Sequence, residues 1–134
     1  MTRKELSQLF YLKKEIKQDS IRLMELDKAS AGSNTSITGL PHTAYISDKT
    51  VIAADIADLK KEIEIKMDMC ITQYNHLMKY IDDVEDSYIR QILTFRHVNG
   101  YSWVQVAMRM GGGNTEDGVR KAYSRYLKKA GCCS

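Results

Sequence analysis

Proline is almost absent from the chain, and glycine is infrequent. Pro41 is the single proline among 134 residues, and only 8 residues are glycine. Both residue types disfavour helix interiors, whereas the abundant Lys, Glu, Ile, Leu and Met favour them. No run of 18 apolar residues occurs, so the sequence contains no candidate membrane span. We therefore expect an all-α protein without a membrane partner.

Cysteine is equally sparse, and its spacing excludes two common kinds of small domain. Cys70, Cys132 and Cys133 are the three cysteines, and no two of them form a Cys-x-x-Cys pair. An odd count without that spacing argues against a disulfide framework and against a zinc finger. The three histidines are also scattered, with none at metal-ligand spacing. No nucleophile, base or metal constellation converges, so we expect neither a cofactor, nor a metal, nor enzymatic activity.

A strong excess of either charge is missing as well. The chain has 20 basic and 17 acidic residues, a net charge of +3. The basic excess lies at one end, because residues 98–134 hold six cations against two anions, while residues 81–97 hold two against four. A local cluster of positive charge can form a binding surface for a polyanion even when the net charge of the whole chain is small. The C-terminal third is therefore the candidate functional region.

The N-terminal part predicts two long helices. Leu9, Ile16 and Leu23 recur every seven residues, and Leu12 and Leu26 complete a coiled-coil-like stripe over about residues 4–27 that only Asp19 interrupts. Residues 28–47 are small, polar and turn-forming, which predicts a flexible connector.

The second helix is expected to start after an N-cap at Ser47 and to continue to about Ile81, since apolar residues recur there every three or four positions. One helix cannot bury such a stripe alone. Residues 1–81 are thus predicted to form an antiparallel helical hairpin that self-associates, with a dimer favoured.

The remaining residues, 82–134, predict a domain of three shorter helices. The first covers about residues 84–98 and ends at Asn99-Gly100, and Ser102 caps the second. Gly111–Gly113 ends the second helix, and Asn114 or Thr115 caps the third. A short helix, a turn and a second amphipathic helix make a helix-turn-helix, whose last helix enters the major groove of DNA.

The third of these helices has two contrasting faces. The inward face is apolar, with Trp103 of the preceding helix expected as a core anchor. The outward face carries four cations and, in the sequence pattern, no carboxylate. Arginine and lysine bind phosphates or guanine edges, and Ser, Thr or Asn contact bases or phosphates. The candidate DNA-binding residues are Arg120, Lys121, Ser124, Arg125 and Lys128 on this face, Asn114 and Thr115 at its N-terminal end, and Arg109 as a phosphate clamp.

Residues 90–107 and 111–121 resemble a known family. They are similar to the region-four helix-turn-helix of sigma factors, and closer to the small phage and prophage regulators of the RinA and ArpU type. Thr38-Gly39-Leu40-Pro41-His42 before a long helix is similar to the connector of those regulators. The resemblance implies a transcriptional regulator encoded by a phage or prophage, acting in the cytoplasm of a bacterial host on double-stranded DNA.

Two functions remain open from the sequence. The first is a sequence-specific DNA-binding transcriptional regulator. The alternative uses the same helix-turn-helix for protein interaction, for example with RNA polymerase, or for DNA packaging as a small terminase-like helical ring. A dimer in solution favours the regulator, and a ring of eight or more subunits would favour packaging.

Overall fold

The computed structural model describes residues 1–32 and 42–131, and within these ranges every regular element is a helix and no strand occurs. The fold class expected from the sequence is thereby confirmed. None of the described helices is long and apolar enough to cross a membrane. In chain order the elements are α1 (Arg3–Gly32), α2 (His42–Asp82), α3 (Ser87–Leu93), a π-helical turn (Thr94–Val98), α4 (Trp103–Met110) and α5 (Glu116–Lys129).

The first two helices are longer than predicted. Residues 28–32 and 42–47, expected in the connector, are helical, and Ser47 lies inside α2 instead of capping it. Ala29 and Ala31 explain the extension of α1, because alanine has the highest helix propensity. Helix α2 begins at His42, the residue directly after Pro41. Proline is strongly disfavoured in the interior of a helix, which explains why the helix does not begin earlier. The rest of the predicted connector, residues 33–41, lies outside the described residues.

Two compact units divide the chain, and the boundary differs from the one predicted between residues 81 and 82. The core unit consists of residues 1–12 together with 70–134, and the two-helix unit of residues 13–69. The reason is burial: Leu6 and Leu9 of α1 belong to the same apolar cluster as Leu77 of α2 and Leu127 of α5. Each of these leucines is at most 2% exposed. The ends of both long helices therefore complete the core on which α3, α4 and α5 are assembled.

Asp19, the one break in the apolar stripe of α1, has a partner in the two-helix unit. Its Oδ2 atom lies 2.6 Å from Nζ of Lys66 on α2. The hydrogen bond from Lys66 to this carboxylate raises the pKa of Lys66 above its usual value. Nearby, Leu59 is buried, Met67 is 51% exposed, and six other stripe residues of this unit are half-buried. Those half-buried residues are Ile16, Leu23, Leu26, Ile52, Ile56 and Ile63.

The short helices of the core unit begin at caps that fix their directions. The Asp86 carboxylate accepts a hydrogen bond from the amide of Tyr88, so α3 starts at Ser87 and not at Val84. As predicted, Ser102 caps α4, and it forms a reciprocal capping box with Gln105. Thr115 caps α5. Gly100 has φ 71°, the left-handed conformation that the predicted end of the first helix requires.

Candidate nucleic-acid interface

Helix α5 is held by one face against the other short helices. Val119 and Leu127 are fully buried and Tyr123 is 5% exposed. Contacts join α5 to both α3 and α4, and α3 to α4. The predicted inward face of this helix is confirmed, since Ala122 and Tyr126 are also half-buried. The opposite face is consequently free to meet a partner.

That opposite face presents the five candidate contact residues together. Arg120, Lys121, Ser124, Arg125 and Lys128 are all exposed. Their positions fall within about two-fifths of the helix circumference, because residues three and four apart share one side. Lys129 adds another exposed cation at the last turn.

The expectation that this face lacks carboxylates is wrong. Nζ of Lys121 lies 2.8 Å from Oδ2 of Asp117, and a guanidinium nitrogen of Arg120 lies 3.4 Å from Oε1 of Glu116. Each acid precedes its cation by four residues and so lies on the same side of the helix. The hydrogen bond from Lys121 lowers the pKa of Asp117, with further contributions from the charges of Lys121 and Arg120. Two of the four predicted cations are thus partly neutralised.

The C-terminal half of the face is different. Among the described residues, no carboxylate lies within ion-pair distance of Arg125, Lys128 or Lys129. These cations also lie at the end of the helix where the dipole is negative and stabilises them. The cations of the face that form no ion pair among the described residues therefore lie at this end of α5.

Asn114 and Thr115, predicted at the DNA end of the helix, hold the turn that precedes it. The Asn114 amide nitrogen donates to the carbonyl of Gly111 at 2.6 Å, and its amide oxygen accepts from the Tyr88 hydroxyl at 2.9 Å. Oγ1 of Thr115 accepts from the amide of Gly118 at 3.0 Å. The turn is thereby tied to α3 through the hydroxyl of Tyr88, a residue that is not among the predicted site residues.

Arg109, the predicted phosphate clamp, is exposed in the last turn of α4. Its guanidinium carbon lies 5.1 Å from the ring centroid of Tyr101. A cation over an aromatic face is attracted by the ring quadrupole and keeps its outer N–H groups accessible. Arg109 is therefore oriented by Tyr101 but belongs to a different helix from the α5 cations.

His97 and Trp103 lie behind this surface. The His97 ring is 5% exposed, and its Nε2 atom is 2.9 Å from the Tyr123 hydroxyl. Burial, and then the charges of Arg96 and Arg3, lower the pKa of His97 to about 4. The Trp103 ring is half-buried and lies 4.9 Å from the ring of Tyr123. Trp103 thus belongs to the support of α5, as expected of a core anchor.

In the part of the chain that the structure describes, no three His, Cys, Asp or Glu side chains are grouped to hold a metal ion. The exposed side chains of α5 can form ion pairs and hydrogen bonds with a partner. Comparisons with protein-family models, curated proteins and solved structures found no match, so the function of this face has to be argued from its own residues.

Proposed function

We propose that this protein is a sequence-specific DNA-binding transcriptional regulator in which α4 and α5 form a helix-turn-helix. The observation that carries the proposal is the exposed cationic face of α5, whose opposite face is buried against α3 and α4. A helix supported on one side and basic on the other fits the major groove, where it neutralises phosphates on both walls.

The residues of α5 divide into two roles along the helix. Arg125, Lys128 and Lys129 form no ion pair among the described residues and bind the phosphate backbone, although Asp83, Glu85 and Asp86 line the groove that Arg125 and Lys129 also line. Arg120 and Lys121 are held by Glu116 and Asp117, so they must exchange these weak exposed pairs for DNA. The two acids repel phosphates and can accept a hydrogen bond from cytosine N4. The protein would therefore bind its specific DNA sites more tightly than nonspecific duplex, because only a specific site compensates for the repulsion by the two acids.

The two-helix unit supplies the self-association surface in this proposal. An antiparallel hairpin of α1 and α2 is supported by the ion pair between Asp19 and Lys66 and by the half-buried stripe around it. Two hairpins pairing in a dimer would bury that stripe more fully. A dimer also matches a DNA site made of two symmetric half-sites.

The decisive experiment compares two double variants on duplexes selected from a random pool. Arg125→Ala with Lys128→Ala removes two of the proposed phosphate contacts. Lys60→Ala with Lys61→Ala removes the same charge from exposed positions on α2. We expect the α5 variant to lose at least about tenfold in affinity and to flatten the slope of log affinity against log salt by about two units. Equal binding by the two folded variants would refute the assignment.

A second candidate, a protein-interaction or DNA-packaging role, is favoured by one specific feature. An open groove of about 740 Å³ lies beside α5, and its lining is largely apolar. Tyr80, Tyr88 and Tyr126 contribute to it, and tyrosine is enriched at protein interfaces. RNA polymerase would be one partner for such a groove. Solution mass separates the candidates, since a dimer supports the regulator and a ring of eight or more subunits supports packaging.

A further inference from the structure

A second concave site lies in the core unit, away from the basic face of α5. It is a cavity of about 320 Å³ between the start of α1, the π-helical turn and the start of α4. Among its lining residues are Phe10 and Tyr11 from α1, Arg96 and His97 from the π-helical turn, and Ser102 and Gln105 at the start of α4. π-Helical turns occur frequently at functional sites. None of the eight candidate DNA-binding residues contributes to this cavity.

The cavity carries a positive charge and no negative one. Among the described residues that line it, Arg96 is the one that is ionised at neutral pH, and none is a carboxylate. The Arg96 guanidinium donates to the carbonyl of Tyr101 at 2.9 Å and lies 4.7 Å from the Trp103 ring centroid. These contacts hold the group in place while its remaining N–H donors stay available. A guanidinium oriented in this way matches the planar oxygen pair of a carboxylate.

His97 contributes a ring nitrogen to the lining beside this cation. Within the described residues its only hydrogen bond runs from Nε2 to the Tyr123 hydroxyl, which leaves Nδ1 without a partner. No completely buried side-chain nitrogen or oxygen lacks a hydrogen bond in that part of the chain. Nδ1 must therefore be reachable from outside, and the cavity is the opening that His97 lines.

Two aromatic rings also line the cavity. The rings of Phe10 and Tyr11 meet edge to face with centroids 5.4 Å apart, and both are more than two-fifths exposed. Gly100 lies against Phe10, where a Cβ atom would come within 3.2 Å of Cδ2. A flat apolar group can stack on such rings.

We propose that this cavity binds a small organic carboxylate that bears a planar apolar group. The carboxylate lies against the Arg96 guanidinium near Nδ1 of His97, and the planar group lies against Phe10 and Tyr11. The volume is within the range of small-molecule sites. Because none of these residues belongs to the basic face of α5, the proposal does not depend on DNA binding.

Benzoate is a suitable probe, because it is among the smallest molecules that combine both chemical features. Trp103 is the only tryptophan and contacts Arg96, so its fluorescence reports binding directly. We expect saturable binding to the full chain with a Kd of about 1 mM, typical of a ligand of this size. Benzamide lacks the charge and inorganic phosphate lacks the ring, and each is expected to bind at least tenfold more weakly. Bound benzoate should also raise the pKa of His97, followed by NMR of its ring, because an anion favours the imidazolium.

Two variants of residues that line the cavity, and one control variant outside it, test whether benzoate binds at this site. Arg96→Gln is expected to weaken benzoate at least tenfold, and Tyr11→Ala about fivefold. Tyr74→Ala removes an exposed aromatic ring of α2 outside the cavity and should bind like the unaltered protein. Tyr11 is 58% exposed, so its variant decides the matter if Arg96→Gln fails to fold. Absence of saturation, or equal benzoate binding by Tyr11→Ala and Tyr74→Ala, would overturn the proposal.

Discussion

At the scale of single residues, the first turn of α5 limits what its cations can do. Glu116 and Asp117 each pair with a cation four positions later. The spacing is readable in the sequence, yet the same acids also suit the positive end of the helix dipole. The sequence therefore does not decide between the two roles, and the side-chain positions show that pairing is one of them.

Asp117→Asn should tighten DNA binding under the proposed function. The change releases Lys121 and removes a negative charge from the basic face. We expect about a threefold to tenfold gain in affinity and a salt dependence steeper by about one unit, measured by duplex titration at several salt concentrations. Asp55→Asn, at an exposed position of α2, is the matched control. A weaker complex for Asp117→Asn than for this control would instead mean that Asp117 itself contacts a base.

His97 makes stability depend on mild acid. Its pKa is about 4 in the folded protein and 6.5 in the unfolded chain, so the unfolded chain binds more protons between these values. The free energy of unfolding should therefore fall as pH decreases through that window, by about 2 kcal/mol between pH 7 and pH 5. Arg96 and Arg3 are the charged groups that oppose protonation. Urea unfolding at the two pH values measures the difference.

The variant His97→Gln removes this titration and can still hydrogen-bond the Tyr123 hydroxyl. The free energy of unfolding of this variant should change much less between pH 7 and pH 5 than that of the unaltered protein. The lowered pKa values of Glu5 and Asp117 act mainly at lower pH, since both carboxylates are largely ionised in the folded and the unfolded chain above pH 5. An unchanged pH dependence in the variant would assign the effect to other groups.

At the scale of elements, the caps and ends of helices can be predicted from the sequence, whereas features that depend on packing cannot. Ser102 as a cap and Gly100 as a helix end follow from side-chain and backbone preferences of single positions, and both are confirmed. The π-helical turn has no such signal. It carries His97 into the core beside Tyr123, 26 residues later, so the contact forms only after folding. The extension of α1 to Gly32 was missed because polar turn-formers outweighed Ala29 and Ala31 in the pattern.

The capping box of α4 provides a test at this scale. The Ser102 side chain accepts from the amide of Gln105 at 3.3 Å, and the Gln105 side chain accepts from the amide of Ser102 at 2.9 Å. Ser102→Ala should lower the free energy of unfolding by about 1 kcal/mol, measured by chemical denaturation. Ser124→Ala replaces an exposed serine inside α5, where alanine is the better helix former, and should cause no loss. Equal stability of the two variants would contradict a capping role for Ser102.

At the scale of the whole molecule, the division into units could not be predicted from composition. The charge map and the helical periods both change near residue 81, which suggested a boundary there. Burial instead assigns Leu6, Leu9, Leu77 and Ile81 to one cluster with residues of α3, α4 and α5. Periodicity identifies an apolar face but does not identify the helix that covers it.

Leu6→Ala should therefore destabilise the support of α5, although the two are far apart in sequence. Leu6 is fully buried, and truncation of such a leucine costs about 2–5 kcal/mol. Amide hydrogen exchange in α5 should accelerate together with exchange in the start of α1. Lys4→Ala, at an exposed position of the same helix, serves as control. Faster exchange confined to α1 would show that the cluster does not act as one cooperative unit.

The shared cluster also has a consequence for biosynthesis. Leu6 leaves the ribosome about 120 residues before Leu127, which at ordinary rates of translation corresponds to roughly 6 to 24 s. During that interval the apolar start of α1 has no native core to enter. The nascent chain thus exposes Leu6 and Leu9 at least until α5 has been made, and chaperones would act on it during this interval.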